Sequence, residues 1–149
     1  MRLILVLLLF VCATTSAQTT FILIRHAEKE SGSTDPNLSK EGEARAQSLV
    51  RLLEKQKIDA IYSTNFNRTK NTVKPLADAK SISIQVYEKE PDIDKLQKNG
   101  STIVICGHSN TIPALANKLI GKQQFTNFAD DDYGNVLIIN GTSVTQLRY

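Results

Sequence analysis

The chain opens on an unbroken apolar run, residues 3–11, behind the single charge of Arg2, and small residues then lead to Ala17. That layout predicts a signal peptide over residues 1–17 with cleavage after Ala17, because the run falls short of the roughly 20 apolar residues that span a bilayer. Beyond it the pattern changes to short apolar blocks set between polar stretches. Six blocks rich in β-branched residues, at 21–25, 60–62, 82–87, 102–106, 136–140 and 143–148, predict strands. Helical spacing lies between several of them. Ala46, Leu49, Val50 and Leu53 recur on one face of a helix expected over about 40–56, with Ser39 as its N-cap. Thr69, Val73 and Leu76 share a face of a second helix after Asn65, which Pro75 is expected to kink or end early. A third helix is expected over about 111–120, with Pro113 in its first turn and Gly121 at its end.

Strands that alternate with helices predict a three-layer α/β/α sandwich with a mostly parallel central sheet and right-handed crossovers. The last two strands flank Asn140-Gly141, a turn dipeptide, and are expected to close the chain as an antiparallel hairpin. Residues 18–149 suit one domain, without repeats or linkers.

Charge adds little. The 18 basic and 15 acidic residues nearly balance, and no basic stripe interleaved with aromatics argues for a nucleic-acid partner. No later segment is apolar for long enough to hold the chain in a membrane. With Cys12 in the signal segment, Cys106 is the one thiol left, so no internal disulfide is expected, and its place after Ile103-Val104-Ile105 predicts a buried core residue.

The chemistry concentrates where strands run out. Both histidines of the chain do so: His26 follows Phe21-Ile22-Leu23-Ile24-Arg25, and His108 follows Ile103-Val104-Ile105-Cys106-Gly107. Ligands of open α/β sheets gather outside the carboxyl ends of strands, so both rings are expected in one crevice. Arg25 beside His26 disfavours the protonated ring, and a neutral ring nitrogen is a competent nucleophile. The guanidinium also offers a planar fork matched to phosphate oxygens, and Arg68, just past another strand, is a second such donor. Consecutive acids at Asp130-Asp131-Asp132 lack the spacing of a calcium or magnesium loop. Asn67, Asn99 and Asn140 fit the short glycosylation pattern, which is common by chance.

Arg25-His26-Ala27-Glu28, Leu38-Ser39-x-x-Gly42 with Ala46, Ser63 to Arg68-Thr69-x-x-Thr72, and Gly107-His108-Ser109 resemble, in order, the four signature segments of the histidine phosphatase superfamily. The resemblance covers about residues 20–120 and implies a phosphoglycerate mutase-like fold. It implies that His26 carries a transient phosphoryl group while Arg25, Arg68 and His108 hold its oxygens, with no metal and no cofactor. It also implies a general acid after the third strand, where Asp92 and Glu88 are the choices, although short members can act without one on good leaving groups. Hydrolysis is expected rather than mutase chemistry, since only 29–37 and 88–100 are available to cover the site. The expected partner is a small phosphorylated substrate or a phosphohistidine peptide, met outside the cytoplasm; the competing expectation is a phosphate-binding module without turnover.

Overall fold

Alternation along the first strand explains the layering. The computed structural model describes residues 18–97 and 100–149, so the expected signal segment and Asn99 lie outside it. In β1 (Thr20–Arg25) Ile22 and Ile24 enter one core while Phe21 and Leu23 enter the other, and all four are buried. A strand apolar on both faces needs a helical layer on each side. The elements that follow are α1 (Lys40–Leu52), β2 (Ala60–Thr64), α2 (Asn67–Lys80), β3 (Ile84–Tyr87), α3 (Ile93–Leu96), β4 (Thr102–Gly107), α4 (Thr111–Ile120), β5 (Asn135–Asn140) and β6 (Ser143–Arg148). Leu49 and Leu53, in and just after α1, and Val73 and Leu76 of α2 cover the face carrying Ile22, Val104 and Cys106. Ile112, Leu115 and Ile120 of α4, with Ile93 of α3, cover Phe21, Leu23, Ile105 and Leu137.

The six-stranded sheet has the order β3-β2-β4-β1-β5-β6. β3, β2, β4 and β1 run parallel, β5 is antiparallel to β1, and β6 closes on β5 as the expected hairpin. The architecture is thus the three-layer, mostly parallel α/β sandwich. Among the described residues no helix is long and apolar enough to cross a membrane.

Several local expectations shift. Asn140 pairs with Ser143, so the hairpin turn is Gly141-Thr142, with Gly141 at φ 58° as its first residue, a conformation that favours glycine. α1 stops at Leu52 rather than near Gln56, although Ser39 Oγ does accept from Gly42 N at 3.2 Å as its cap. Pro75 does not end α2, which continues to Lys80 because Leu76 and Ala77 beyond the proline are buried against the sheet; packing outweighs one lost hydrogen bond. β3 begins at Ile84, not at residue 82, and α3 is a short helix that apolar spacing does not announce.

Candidate active site

β1 and β4 are in register with Arg25 opposite Gly107, so His26 and His108 leave the sheet side by side. His26 N donates to the Gly107 carbonyl at 2.9 Å, and the two ring centroids lie 5.6 Å apart. The chain departs from β1 toward β2 and from β4 toward β5, which makes this gap the point where the sheet reverses direction and a crevice opens. α2 brings Arg68 in from β2, while the antiparallel β5 starts at this same edge and lands residues 129–134 beside it. A pocket of about 520 Å³ is lined by Arg25, His26, Lys29, Arg68, His108, Ser109, Asn110, Asp130 and Tyr133. The four side chains expected from the sequence therefore meet.

The two carboxylates considered as the acid are not among the lining residues. Asp92 caps α3, accepting from Lys95 N at 3.3 Å and pairing with Lys95 Nζ at 2.9 Å. Those contacts with Lys95 hold its carboxyl below the usual range, which makes it a poor proton donor. Glu88 lies exposed just after β3. The carboxylate that does line the pocket is Asp130, from the acidic run Asp130-Asp131-Asp132.

Arg25 is 3% exposed and wears a collar of carbonyls: Nη1 donates to Ala129 O at 2.5 Å and Asp132 O at 2.8 Å, and Nη2 to Asp130 O at 2.8 Å. Its guanidinium sits 4.2 Å from the Tyr133 ring centroid. Of five N–H donors this leaves Nε–H, buried without a partner, and one hydrogen of Nη2. The collar thus fixes the guanidinium plane in the pocket wall, with those two hydrogens the ones left without a protein acceptor.

The two rings are held as specific tautomers. A carbonyl only accepts, so His26 Nδ1, 2.8 Å from Ala27 O, carries the proton and Nε2 is left with its lone pair. Thr64 Oγ1 lies 3.1 Å from His108 Nε2 and donates to Thr69 Oγ1, which in turn donates to the carbonyls of Thr64 and Phe66. Thr64 therefore accepts from His108 Nε2–H. Burial lowers the pKa of His26 to about 4, with His108, Arg25 and Arg68 adding to it and the Ala27 hydrogen bond opposing. His108 is likewise lowered to about 4, first by burial and then by Arg68 and Arg25. Both rings are neutral near pH 7, and burial, rather than the neighbouring arginine, is the larger cause.

Residues beyond the four candidates position these groups. Asp35 Oδ1 accepts from Asn67 N at 2.8 Å and lies 3.8 Å from Arg68, capping α2 from a distant loop because Phe66 at the N-cap has no oxygen to offer. The Phe66 ring lies under Arg68 at 4.3 Å and meets His108 edge-on at 5.2 Å. Thr72 Oγ1 accepts from Ala27 N at 2.9 Å, tying α2 to the residue after the nucleophile candidate. A wider groove of about 820 Å³ between α1 and α2 is lined by polar side chains such as Gln47, Asn71 and Lys74 and includes neither histidine nor arginine.

Comparison with known proteins adds three findings. The profile of the histidine phosphatase superfamily (branch 1) matches residues 21–94. Phosphoserine phosphatase 1 of Hydrogenobacter thermophilus is 35% identical over 80 residues, which is 49% of this chain and 38% of that protein, so the shared stretch is well under half of the relative's length. The solved structure of the protein histidine phosphatase SixA with tungstate superposes with a TM-score of 0.69 at 11% identity, covering 87% of this chain and 96% of that one. SixA of Agrobacterium tumefaciens does so at 0.65 and 17% identity, over 86% and 95%. Likenesses at such identities speak for the fold. The matched profile holds the Arg25-His26 strand end and Arg68, the shared fold brings His108 to them, and the chain belongs to the histidine phosphatase superfamily.

Proposed function

We propose that the chain is an exported, metal-independent phosphatase that hydrolyses phosphate esters or phosphoramidates through a phosphoryl group carried on His26. The observation that carries this is the state of His26: 5% exposed, with Nδ1–H fixed on Ala27 O, Nε2 bare, and Arg25, Arg68 and His108 around it. Nothing in simple anion binding requires an unprotonated ring nitrogen at that point. Nε2 attacks phosphorus in line, the P–N bond forms and the bond to the leaving atom breaks; water then displaces Nε2, and inorganic phosphate departs. The edge of Arg25 and the guanidinium of Arg68 meet charge on the equatorial oxygens. Since His108 Nε2–H is engaged by Thr64, donation from its other nitrogen takes the protonated ring, which an arriving dianion favours.

Support for turnover comes from the phosphatase names of the relatives, and from tungstate, a tetrahedral oxyanion, in the SixA structure. Export rests on the pattern of residues 1–17. Glu88 and Asp92 do not line the pocket and Asp130 does; phosphohistidine, whose leaving imidazole needs little protonation, is the second reading, for which the SixA likeness also speaks. A phosphate-release screen over sugar phosphates, nucleotides, phytate and phosphohistidine peptides ranks them.

Rapid quenching into alkali, which preserves a phosphorus–nitrogen bond, should trap label on the protein during turnover of p-nitrophenyl phosphate. His26→Ala should abolish that label and lower turnover by several orders of magnitude. Near-normal turnover by a folded His26→Ala protein, or label on Ser109 or Cys106, would end this reading; binding of phosphate without turnover of any screened ester would favour the binding module.

A further inference from the structure

Among the described residues two large apolar side chains are exposed, Val86 and Phe66, at 51% and 38%. Val86 belongs to β3, the strand at the edge of the sheet. Phe66 is not itself one of the residues lining the pocket, but it packs on two that are, Arg68 and His108. Its ring lies 4.3 Å below the Arg68 guanidinium and 5.2 Å, edge-on, from His108, whose own ring is 5.6 Å from His26. The three rings thus run outward in series from the nucleophile candidate, and the outermost is apolar and open.

We propose that Phe66 walls a leaving-group subsite that takes a planar aromatic ring, phenyl or imidazolyl, borne on the phosphoryl group. The inference rests on the phosphatase reading and adds the chemistry of the leaving group to it. In an in-line displacement the leaving atom lies opposite His26 Nε2, so the leaving group projects from the phosphoryl site toward the mouth. Phe66, exposed beside Arg68 and His108, offers such a group an edge and a face that attract another ring at centroid separations of about 4.5–7 Å.

Non-hydrolysable ligands separate this from catalysis and from leaving-group acidity. Calorimetric titration of the wild-type chain with phenylphosphonate and methylphosphonate should show the phenyl ligand bound about 3- to 10-fold tighter. Phe66→Leu, which keeps apolar bulk, should bring that ratio to within about twofold of unity, and Phe66→Trp should retain it. If Phe66 only positions Arg68 and His108, both ligands weaken together in Phe66→Leu and the ratio holds; that result overturns the inference, as does a wild-type ratio near one. Phosphate release from phenyl phosphate and from phosphohistidine then tells the sources apart: a Phe66→Leu loss confined to one substrate assigns the ring to aryl esters or to phosphoimidazoles. Absence of turnover with a preserved phenyl preference would count against the phosphatase reading and leave the ring-binding wall standing.

Discussion

At His26 burial and charge act in the same direction, and the consequence is measurable. Both histidines sit at about 4 rather than the ordinary 6.5, and the chain contains no others, so proton NMR of the imidazole Cε1–H signals should show two titrations near pH 4 and none near 6.5. The sign for stability follows from the same depression. Above pH 6.5 the rings are neutral whether folded or unfolded; as pH falls from 6.5 toward 4 the unfolded chain takes up protons that the folded one refuses, so stability drops across that window. For the buried His26 the loss amounts to at most about 3 kcal/mol, and urea midpoints of the wild type and of His26→Ala should converge toward pH 4. A midpoint indifferent to pH between 6.5 and 4 would contradict the burial account. The sequence made His26 and His108 legible because each follows a strand, whereas Tyr133 and Phe66 carried no mark: their effect lies in a ring face 4.2 Å and 4.3 Å from an arginine, which is a matter of approach and not of spacing.

At the scale of elements, α1 is held under the end of β1 through a close approach. Ser39 N donates to the Glu28 carbonyl at 3.0 Å, and a Cβ on Gly42 would overlap that same carbonyl. Alanine in a helix is ordinarily about 1 kcal/mol better than glycine, but here the clash is with backbone and has nowhere to relax. Gly42→Ala should therefore destabilise by about 1–3 kcal/mol and displace Glu28, two residues from His26, with lower turnover. Denaturation and kcat on the same preparation check both; a stabilised, fully active variant would show that the contact yields. Strand and helix existence was readable from period because both faces of β1 and one face of each long helix are apolar. Ends were less so: Pro75 reads as a stop, yet buried Leu76 and Ala77 carry α2 past it.

For the molecule as a whole, Arg45 clasps distant parts. It pairs with Glu28 at 2.5 Å, donates to the Tyr149 carbonyl at 2.5 Å, and lies against Gly134, where a Cβ would meet its Nη1 at 2.6 Å. Tyr149 N closes the ring on Gly134 O at 3.1 Å, joining the end of β1, α1, the residue after β6 and the collar loop that holds Arg25. Arg45→Ala should cost about 1 kcal/mol in urea denaturation by leaving half-buried acceptors unpaired, and should loosen the collar enough to raise KM for p-nitrophenyl phosphate; unchanged KM would confine Arg45 to stability. By itself the sequence determined the layering, the helices and strands, and the residues able to handle a phosphoryl group, since hydrophobic period and side-chain chemistry are properties of short stretches. Only the tertiary structure decided which acid faces the site, since Asp130 reaches it through antiparallel β5 while Asp92 turns to Lys95, and which groups aim the arginines. Those choices depend on distances between residues up to 107 positions apart, such as Arg25 and Asp132, and chain order carries no measure of such distances.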